Sequence, residues 1–322
     1  MHYRMLGKTG LKISEMGHGC WGIGGGVPNE MWKSNDVESR AALRTSVENG
    51  VNFFDTAFVY GDGHSERLVG KLAREHPDII ITTKIPPKNR LWPTPLNGKI
   101  NDVFPKDYIL EYAKKSYQNI GRSIDLLLLH VWTDAWIDER AWEEAFEQIK
   151  EENLATHFGV SVNDHAPQTV LKLVASGKIE ALEVIYNIFD QSPADALFPL
   201  AQEHNIGIIA RVPFDEGSLT GTFTYDTRFD DWRSFYFRED RLKETVDRVE
   251  KLRFLETNKR TLPHAALQFC LAHSAVSTVI PGMRRKEHVL TNVLASEGTL
   301  TNGELKRIKT HRWIRNFYTG LH

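Results

Sequence analysis

Short apolar segments rich in β-branched residues recur along this chain, and a helix-forming segment follows each. Eight stand out: Met16–Trp21, Val51–Phe54, Ile79–Lys84, Asp125–His130, His157–Ser161, Ala181–Tyr186, Ile206–Val212 and Ser277–Pro281. The helix candidates are Val37–Asn49, Ser65–Arg74, Lys106–Ile120, Glu139–Glu152, Ala166–Ser176, Ala194–His204, Glu239–Glu256, Pro263–His273 and Lys286–Leu294. Apolar strands separated by helices suit a parallel sheet with crossover helices. Two architectures meet that demand, an open doubly wound sheet and a closed (β/α)8 TIM barrel. The count of eight favours the barrel. So does YRMLGKTGLKIS at 3–14, which reads as a capping β-hairpin turning at Lys8-Thr9-Gly10. The expected architecture is one α/β domain over 1–322, with an N-terminal β-hairpin cap. Two connections, Ile85–Pro105 and Pro213–Arg238, are long. In a barrel both leave the C-terminal ends of strands, the face where active sites form.

Composition excludes several other classes. The formal net charge of −2 over 322 residues gives no electrostatic footprint for nucleic acid. Two cysteines, Cys20 and Cys270, build neither a disulfide framework nor a zinc cluster. The thirteen histidines form no H-x-x-x-H pair on a clear helix face, so no metal is expected. No apolar run approaches the ~20 residues that span a bilayer, and MHYRMLGKTG lacks the apolar heart of a signal peptide. A reduced, cytoplasmic protein with no membrane or nucleic-acid partner is expected. The sequence carries no mark of an oligomeric state.

The stretch MGHGCWGIGGG at 16–26 holds a literal G-x-G-x-x-G at Gly17, Gly19 and Gly22. That pattern binds a dinucleotide when a helix opens within the glycines. Here Gly24, Gly25, Gly26, Val27 and Pro28 follow, and the first helix is expected only near Val37. The match therefore fails its context. Gly17 and Gly19 suit close packing inside a barrel, and Gly22–Gly26 suit a loop at its mouth.

Chemistry gathers at the strand ends. Asp55 follows VNFF, Tyr60 comes five residues later, Lys84 ends IIITTK and His130 ends IDLLLLH. Alone, each has an ordinary explanation: a turn cap, a packed ring, a solvated amine, a satisfied histidine. Together at successive strand ends they point into one mouth. A phenol is a weak acid near pKa 10. An ammonium beside it favours the phenolate, and a carboxylate would hold that ammonium charged and oriented. A histidine can orient a carbonyl oxygen. The set suits protonation of an alkoxide as it forms from a carbonyl.

DTAFVYGDGHSERLVG at 55–70 resembles the signature of the aldo-keto reductase family. TTK at 82–84, IDLLLLH at 124–130, GVS at 159–161 and VIPG at 279–282 resemble its later motifs, in order. The resemblance runs from the hairpin to about Asn292. It implies an NADPH-dependent carbonyl reductase on a (β/α)8 barrel, with Asp55, Tyr60, Lys84 and His130 as catalytic tetrad. Tyr60 would be the general acid, its pKa depressed by Lys84 paired with Asp55.

The same resemblance assigns NADP(H) contacts to Ser161, Gly217, Leu219, Gly282, Arg284, His288 and Asn292. Arg284 suits the 2′-phosphate because its planar fork pairs with phosphate oxygens. Three positions depart from the family pattern. Val162 stands where Asn is usual, with Asn163 one place later. Glu183 replaces a carboxamide-binding Gln, and Arg211 replaces an aromatic that stacks on nicotinamide. Glu183 and Arg211 end neighbouring strands and are expected to pair.

Aromatics crowd the expected mouth, from Trp21, Trp92, Trp132 and Trp136 to Phe229, Trp232, Phe235, Tyr236 and Phe237. Trp313, Phe317 and Tyr318 join them from the C-terminal segment. A sizeable aromatic or apolar aldehyde or ketone is the expected small-molecule substrate, contacted by Trp21, Trp92 and above all Trp132. Two alternatives remain open: a tetrad-based proton-transfer enzyme without net redox, and a non-catalytic NADPH-sensing regulatory subunit.

Overall fold

A computed structural model describes residues 1–25 and 34–318. Gly26, Val27 and Pro28 of the expected mouth loop lie outside the described residues.

Eight strands form one parallel sheet in sequential order. We number them β1 (His18–Gly19), β2 (Phe53–Asp55), β3 (Ile80–Ile85), β4 (Ile124–Leu129), β5 (Ala155–Ser161), β6 (Ala181–Ile185), β7 (Gly207–Arg211) and β8 (Val276–Val279). The sheet closes on itself. Met16 bridges Val279 and Gly19 bridges Gly282, both parallel. The N–H groups of Gly17 and Gly19 donate to the carbonyl oxygens of Val279 and Pro281 at 2.8 and 3.0 Å. The chain is thus a (β/α)8 barrel.

The glycines of the failed dinucleotide motif make this seam possible. A Cβ on Gly19 would lie 2.8 Å from the Ile280 carbonyl oxygen, and one on Gly17 would lie 2.9 Å from the Ile280 side chain. Backbone meets backbone here without room for a methyl group. The expected strand Met16–Trp21 is correspondingly shorter. Its end, Trp21–Ile23, winds into a 3₁₀ turn.

The hairpin pairs Tyr3–Met5 with Lys12–Ser14 antiparallel. It caps the barrel's N-terminal end. Leu6 is fully buried among Ile13, Phe53, Leu126, Leu128 and Ile209, which fill the barrel interior. Lys8 N–H donates to the Asn205 carbonyl oxygen at 2.8 Å, pinning the cap before β7. A larger core lies outside the strands, between them and the surrounding helices.

The helices follow their apolar periodicity. Lys106–Ile120 falls where expected, and Asn35 caps Asp36–Glu48 by accepting from Val37 N–H. The expected helix Ala166–Ser176 divides into a 3₁₀ turn, Pro167–Val170, and a short helix, Leu171–Ser176. The long loops carry the short helices Ile100–Val103 and Arg233–Tyr236. A further helix, Asn302–Ile308, opens on a Thr301–Glu304 capping box. That T-x-x-E is a capping-box pattern legible in the sequence. Among the described residues no helix is long and apolar enough to cross a membrane.

Candidate active site

Three successive strand ends bring four side chains together at the barrel's C-terminal mouth. Asp55 is the last residue of β2, Lys84 lies in β3, and His130 directly follows β4. Tyr60 stands in the turn after β2, where its N–H donates to the Ala57 carbonyl oxygen. The signature residues beyond it hold this turn. Thr56 donates to Ser65 at 2.7 Å, and Ser65 donates to the Cys20 carbonyl oxygen at 3.1 Å. Buried Glu66 accepts from Thr83 at 2.6 Å and from Asn119 at 2.8 Å, tying the following helix to β3. Ser65 and Glu66 thus fix the geometry that presents Tyr60.

Lys84 is the hub. Its fully buried ammonium donates to Asp55 Oδ1 and Oδ2 at 2.8 and 2.6 Å and to the Thr56 carbonyl oxygen at 3.0 Å. At 3.4 Å it reaches the Tyr60 hydroxyl. The His130 ring meets Tyr60 edge-on at 6.1 Å. The four expected tetrad residues therefore come together.

A fifth charged group joins them. Glu183 Oε2, on β6, lies 3.1 Å from Lys84 Nζ. The expected ion pair between Glu183 and Arg211 is present at 3.8 Å, and each also has a nearer partner. Arg211 donates to Asp164 at 2.7 Å and to the Val162 carbonyl oxygen at 3.0 Å. Asp164 is the closer carboxylate to Arg211, and Glu183 acts on Lys84 more closely than on Arg211.

This addition changes the electrostatics. Burial opposes the Lys84 charge, but Asp55 and Glu183 outweigh it and hold the ammonium protonated. Burial pushes the Asp55 carboxyl up, and Glu183 pushes it further, against the pull of Lys84. Tyr60 is also raised: burial dominates, Lys84 lowers it, and Asp55 and Glu183 raise it again. The expectation of a depressed phenol is thus corrected for this arrangement. Lys84 pulls in the expected direction, but desolvation and two carboxylates prevail. His130 is held well below its ordinary value by burial and by Lys84, Arg211 and Arg90, so it is neutral. Its Nδ1 is buried without a partner.

Trp21 and Trp92 flank this group. The Trp21 ring lies 6.5 Å from Tyr60 and 5.5 Å from Trp232, and the Trp92 ring lies 5.7 Å edge-on from His130. Trp132 does not join them. It is fully buried, edge-on to Trp136 at 5.6 Å and to Trp142 at 5.1 Å. The chain turns back after His130 and packs Trp132 between the loops and the helix Arg140–Glu151. Its expected role as foremost substrate contact falls. Trp232, from the second long loop, occupies the mouth instead.

The residues assigned to a dinucleotide fall into two groups. Ser161 ends β5 beside Glu183 in register, near Arg211. The Asn163 amide is committed to loops: it donates to the Trp132 carbonyl oxygen and accepts from Thr94 N–H. Gly217 takes φ +97 in the turn Asp215–Thr220. Leu219 is buried there, with its N–H on the Phe214 carbonyl oxygen, so its carbonyl is the polar group it retains.

The second group surrounds the helix Lys286–Val293. Gly282 is exposed, and a Cβ there would meet nothing within 4 Å. Arg284 is partly buried, with Arg233 and Arg285 pressing against its charge. It lines a cleft with Gly22, Ser34, Asn35 and Ser39. Glu38 approaches Arg285 at 3.6 Å. Burial, Arg284 and Arg285 push the His288 imidazole below its ordinary value, and Asn292 is buried in the helix. Crowded guanidinium groups at a helix N-terminus suit an anion such as a phosphate.

The chain as a whole is similar to known proteins. The family model "Aldo/keto reductase family" matches residues 15–312. The chain belongs to the aldo/keto reductase family. The uncharacterized oxidoreductase YqkF of Bacillus subtilis is 31% identical, over 97% of this chain and 96% of that protein. The holo form of the aldo-keto reductase AKR11C1 from Bacillus halodurans superposes with a TM-score of 0.75 at 28% identity, covering 97% and 96% of the two chains. A probable voltage-gated potassium channel subunit beta from Arabidopsis thaliana is 28% identical, over 92% of this chain and 91% of that protein. As an aldo/keto reductase the chain is an oxidoreductase that works with a nicotinamide cofactor.

Proposed function

We propose that this aldo/keto reductase reduces an aldehyde or ketone to an alcohol with NADP(H), with Tyr60 as general acid. One observation carries the reading: the Lys84 ammonium, bonded to Asp55, reaches the Tyr60 hydroxyl at 3.4 Å beside neutral His130.

The residues present fit the cofactor at both ends. Ser161, Glu183 and Arg211 would face its nicotinamide, with the Gly217 turn over it. Arg284, with His288, Asn292 and the exposed backbone at Gly282, would hold its adenosine 2′-phosphate. Arg284 is the reason to prefer NADP(H) over NAD(H), because a 2′-phosphate relieves the repulsion among Arg233, Arg284 and Arg285. When bound, the nicotinamide supplies or accepts a hydride.

This chain's residues handle the proton and the carbonyl. Neutral His130 orients the carbonyl oxygen through a hydrogen bond. Tyr60 is protonated near neutral pH, because burial holds its proton, and gives it to the oxygen as alkoxide character develops. Lys84 faces the resulting phenolate. In alcohol oxidation the phenolate takes the proton back. Trp21, Trp92 and Trp232 exclude water from the reacting atoms and favour a flat or apolar group next to the carbonyl.

The test is NADPH titration by fluorescence quenching, then loss of reduced-cofactor absorbance with an aldehyde panel, for wild type and Tyr60→Phe. Binding with turnover that the variant loses by roughly 10²–10⁴-fold supports the reading. Binding without turnover on any carbonyl favours a regulatory subunit. Failure to bind NADPH leaves redox-free proton transfer.

A further inference from the structure

The chain leaves β7 in an unusual backbone conformation. Val212, Asp215, Glu216 and Gly217 all take left-handed φ, at +54, +47, +57 and +97. Three of them are not glycine, and Val212 is β-branched, so the segment is strained. Strain of this kind persists only where surrounding groups enforce it. The N–H groups of Asp215, Gly217 and Leu219 bond to Val212 and Phe214, within the turn itself. Among the described residues, the hydrogen bonds that tie Asp215 and Glu216 to a distant part of the chain come from the C-terminal segment. Arg315 Nη2 donates to Asp215 Oδ2, and the Tyr318 hydroxyl donates to Glu216 Oε1.

That segment is held along its length. The Asp215–Arg315 ion pair is buried, with 1% and 8% of the two side chains exposed. Trp313 N–H donates to the Phe189 carbonyl oxygen at 2.9 Å. The Arg315 guanidinium lies 4.0 Å from the Trp313 ring and 5.0 Å from the Phe317 ring. Arg241 donates to the carbonyl oxygens of Tyr236 and Phe317 at 3.3 and 3.2 Å, tying the segment to the short helix Arg233–Tyr236. The Tyr318 ring stands edge-on to Tyr236 at 5.0 Å and stacks on Trp232 at 6.2 Å.

The turn lies between the two ends of the dinucleotide site. On one side it follows Arg211, whose Nε is 3.8 Å from Glu183 beside Lys84. On the other, a Cβ on Gly217 would stand 3.7 Å from the Arg233 guanidinium, and Arg233 bears on Arg284 by the helix Lys286–Val293. A cofactor with its ring at the tetrad and its 2′-phosphate at Arg284 has to pass this turn. Two acidic side chains there would repel the phosphates in between unless other groups held them. Arg315 supplies the opposite charge to Asp215, and Tyr318 gives Glu216 a hydrogen bond.

We propose that Arg315 and Tyr318 are positioning residues for the cofactor: docked on Asp215 and Glu216, they hold the left-handed turn against the bound dinucleotide, which exchanges when the C-terminal segment lifts. This rests on the NADP(H) reading above. Both residues act through the turn rather than on the cofactor itself. A held turn retains what is already bound, so the effect falls on the dissociation rate. By linkage, a cofactor that favours the docked turn also favours the docked segment.

Stopped-flow tryptophan fluorescence of the full chain gives the association and dissociation rates of NADPH and NADH. Arg315→Leu should release both on the order of tenfold faster. Tyr318→Phe, which keeps the ring and loses the hydroxyl, should show a smaller rise, and Arg315→Lys should keep part of the hold. The effects of Arg315→Leu and Asp215→Asn should not add, because one contact carries both. Saturating NADP⁺ should slow hydrogen exchange of residues 313–318 in the unaltered chain. If Arg315→Leu does not fold, Tyr318→Phe and the exchange measurement still decide. Unchanged release rates in the variants, additive effects in the double variant, or no protection of residues 313–318 overturns the proposal. Faster release without turnover of any aldehyde keeps the strap and removes the reductase reading. An unaltered chain that binds neither cofactor removes both.

Discussion

The carboxylate of Glu183 on β6 reaches to within 3.1 Å of the Lys84 ammonium on β3. Oε2 has no hydrogen-bond partner, because the Lys84 hydrogens go to Asp55 and Thr56, so the contact is one of charge. Lys84 thus stands between two buried carboxylates rather than beside one. Tyr60 feels both as forces that keep its proton on.

Glu183→Gln removes one of those charges and keeps the shape. The Tyr60 proton should then leave more readily. In alcohol oxidation, where the phenolate is the base, the rising limb of the pH–rate profile should move to lower pH. The ratio of NADP⁺ to NADPH affinity should fall as well, since a carboxylate near the nicotinamide favours the cation. A pH profile that does not move would remove Glu183 from the tetrad's electrostatics.

Lys84→Met should be severe for the fold as well as for turnover. It strands Asp55, 3% exposed, without a cation, and leaves Glu183, 2% exposed, only the more distant Arg211. Removing one partner of a buried ion pair costs about 3–5 kcal/mol. The loss should depend on pH. The Asp55 carboxyl is already raised above its ordinary value, so its proton is held more tightly folded than unfolded. That contribution is present at low pH and lost as pH rises. Thermal melts should show the deficit relative to wild type shrinking toward about pH 5 and growing toward about pH 8.

Much of this site was legible in the sequence, and what was missed has physical causes. The strand ends carrying Asp55, Lys84 and His130 could be read because apolar runs mark strands and barrels put active groups at their C-terminal ends. The Glu183–Lys84 contact could not. Inward-facing residues at one height meet across a barrel whatever the separation of their strands, and strand order is silent on height. The Glu183–Arg211 pair forms as expected, but loosely, at 3.8 Å, for a related reason. A long guanidinium chooses among all carboxylates within reach, and Asp164 on the β5 loop is the better placed. Trp132 was misplaced because an aromatic two residues past a strand end has the same sequence appearance whether it faces the mouth or the helices. The glycine seam was half legible: Gly17 and Gly19 suggested close approach, and only the structure supplied Ile280 and Pro281 as the partners.

Arg284→Leu should separate the two nicotinamide cofactors. If Arg284 holds the 2′-phosphate, NADPH affinity should drop roughly tenfold to a hundredfold, the range of hydrogen bonds to charged groups, while NADH binding changes little. Gly22→Ala offers a milder version. A Cβ at Gly22 would stand 2.6 Å from the Arg284 side chain and displace it. Both are measured by quenching titrations with the two reduced cofactors. Equal losses for NADPH and NADH would place the 2′-phosphate elsewhere.

The C-terminal segment should loosen as pH rises through neutrality. Glu216 accepts the Tyr318 hydroxyl proton in a hydrogen bond, and burial raises its carboxyl to about 7 against that bond. Asp215 and Asp164 raise it further, and Arg211 opposes them. A carboxyl raised on docking binds its proton more tightly docked than free. Docking is therefore favoured below the ordinary carboxylate range, and that advantage is lost as pH climbs toward and past about 7. Above it, an ionised Glu216 faces Asp215 and Asp164, and the Tyr318 contacts with Trp232 and Tyr236 must hold the segment. Hydrogen exchange of residues 313–318, corrected for the intrinsic pH dependence of exchange, should show protection falling across this window. Glu216→Gln cannot ionise, so its protection should stay flat. Identical pH dependence in variant and wild type would show that Glu216 does not set the strength of docking.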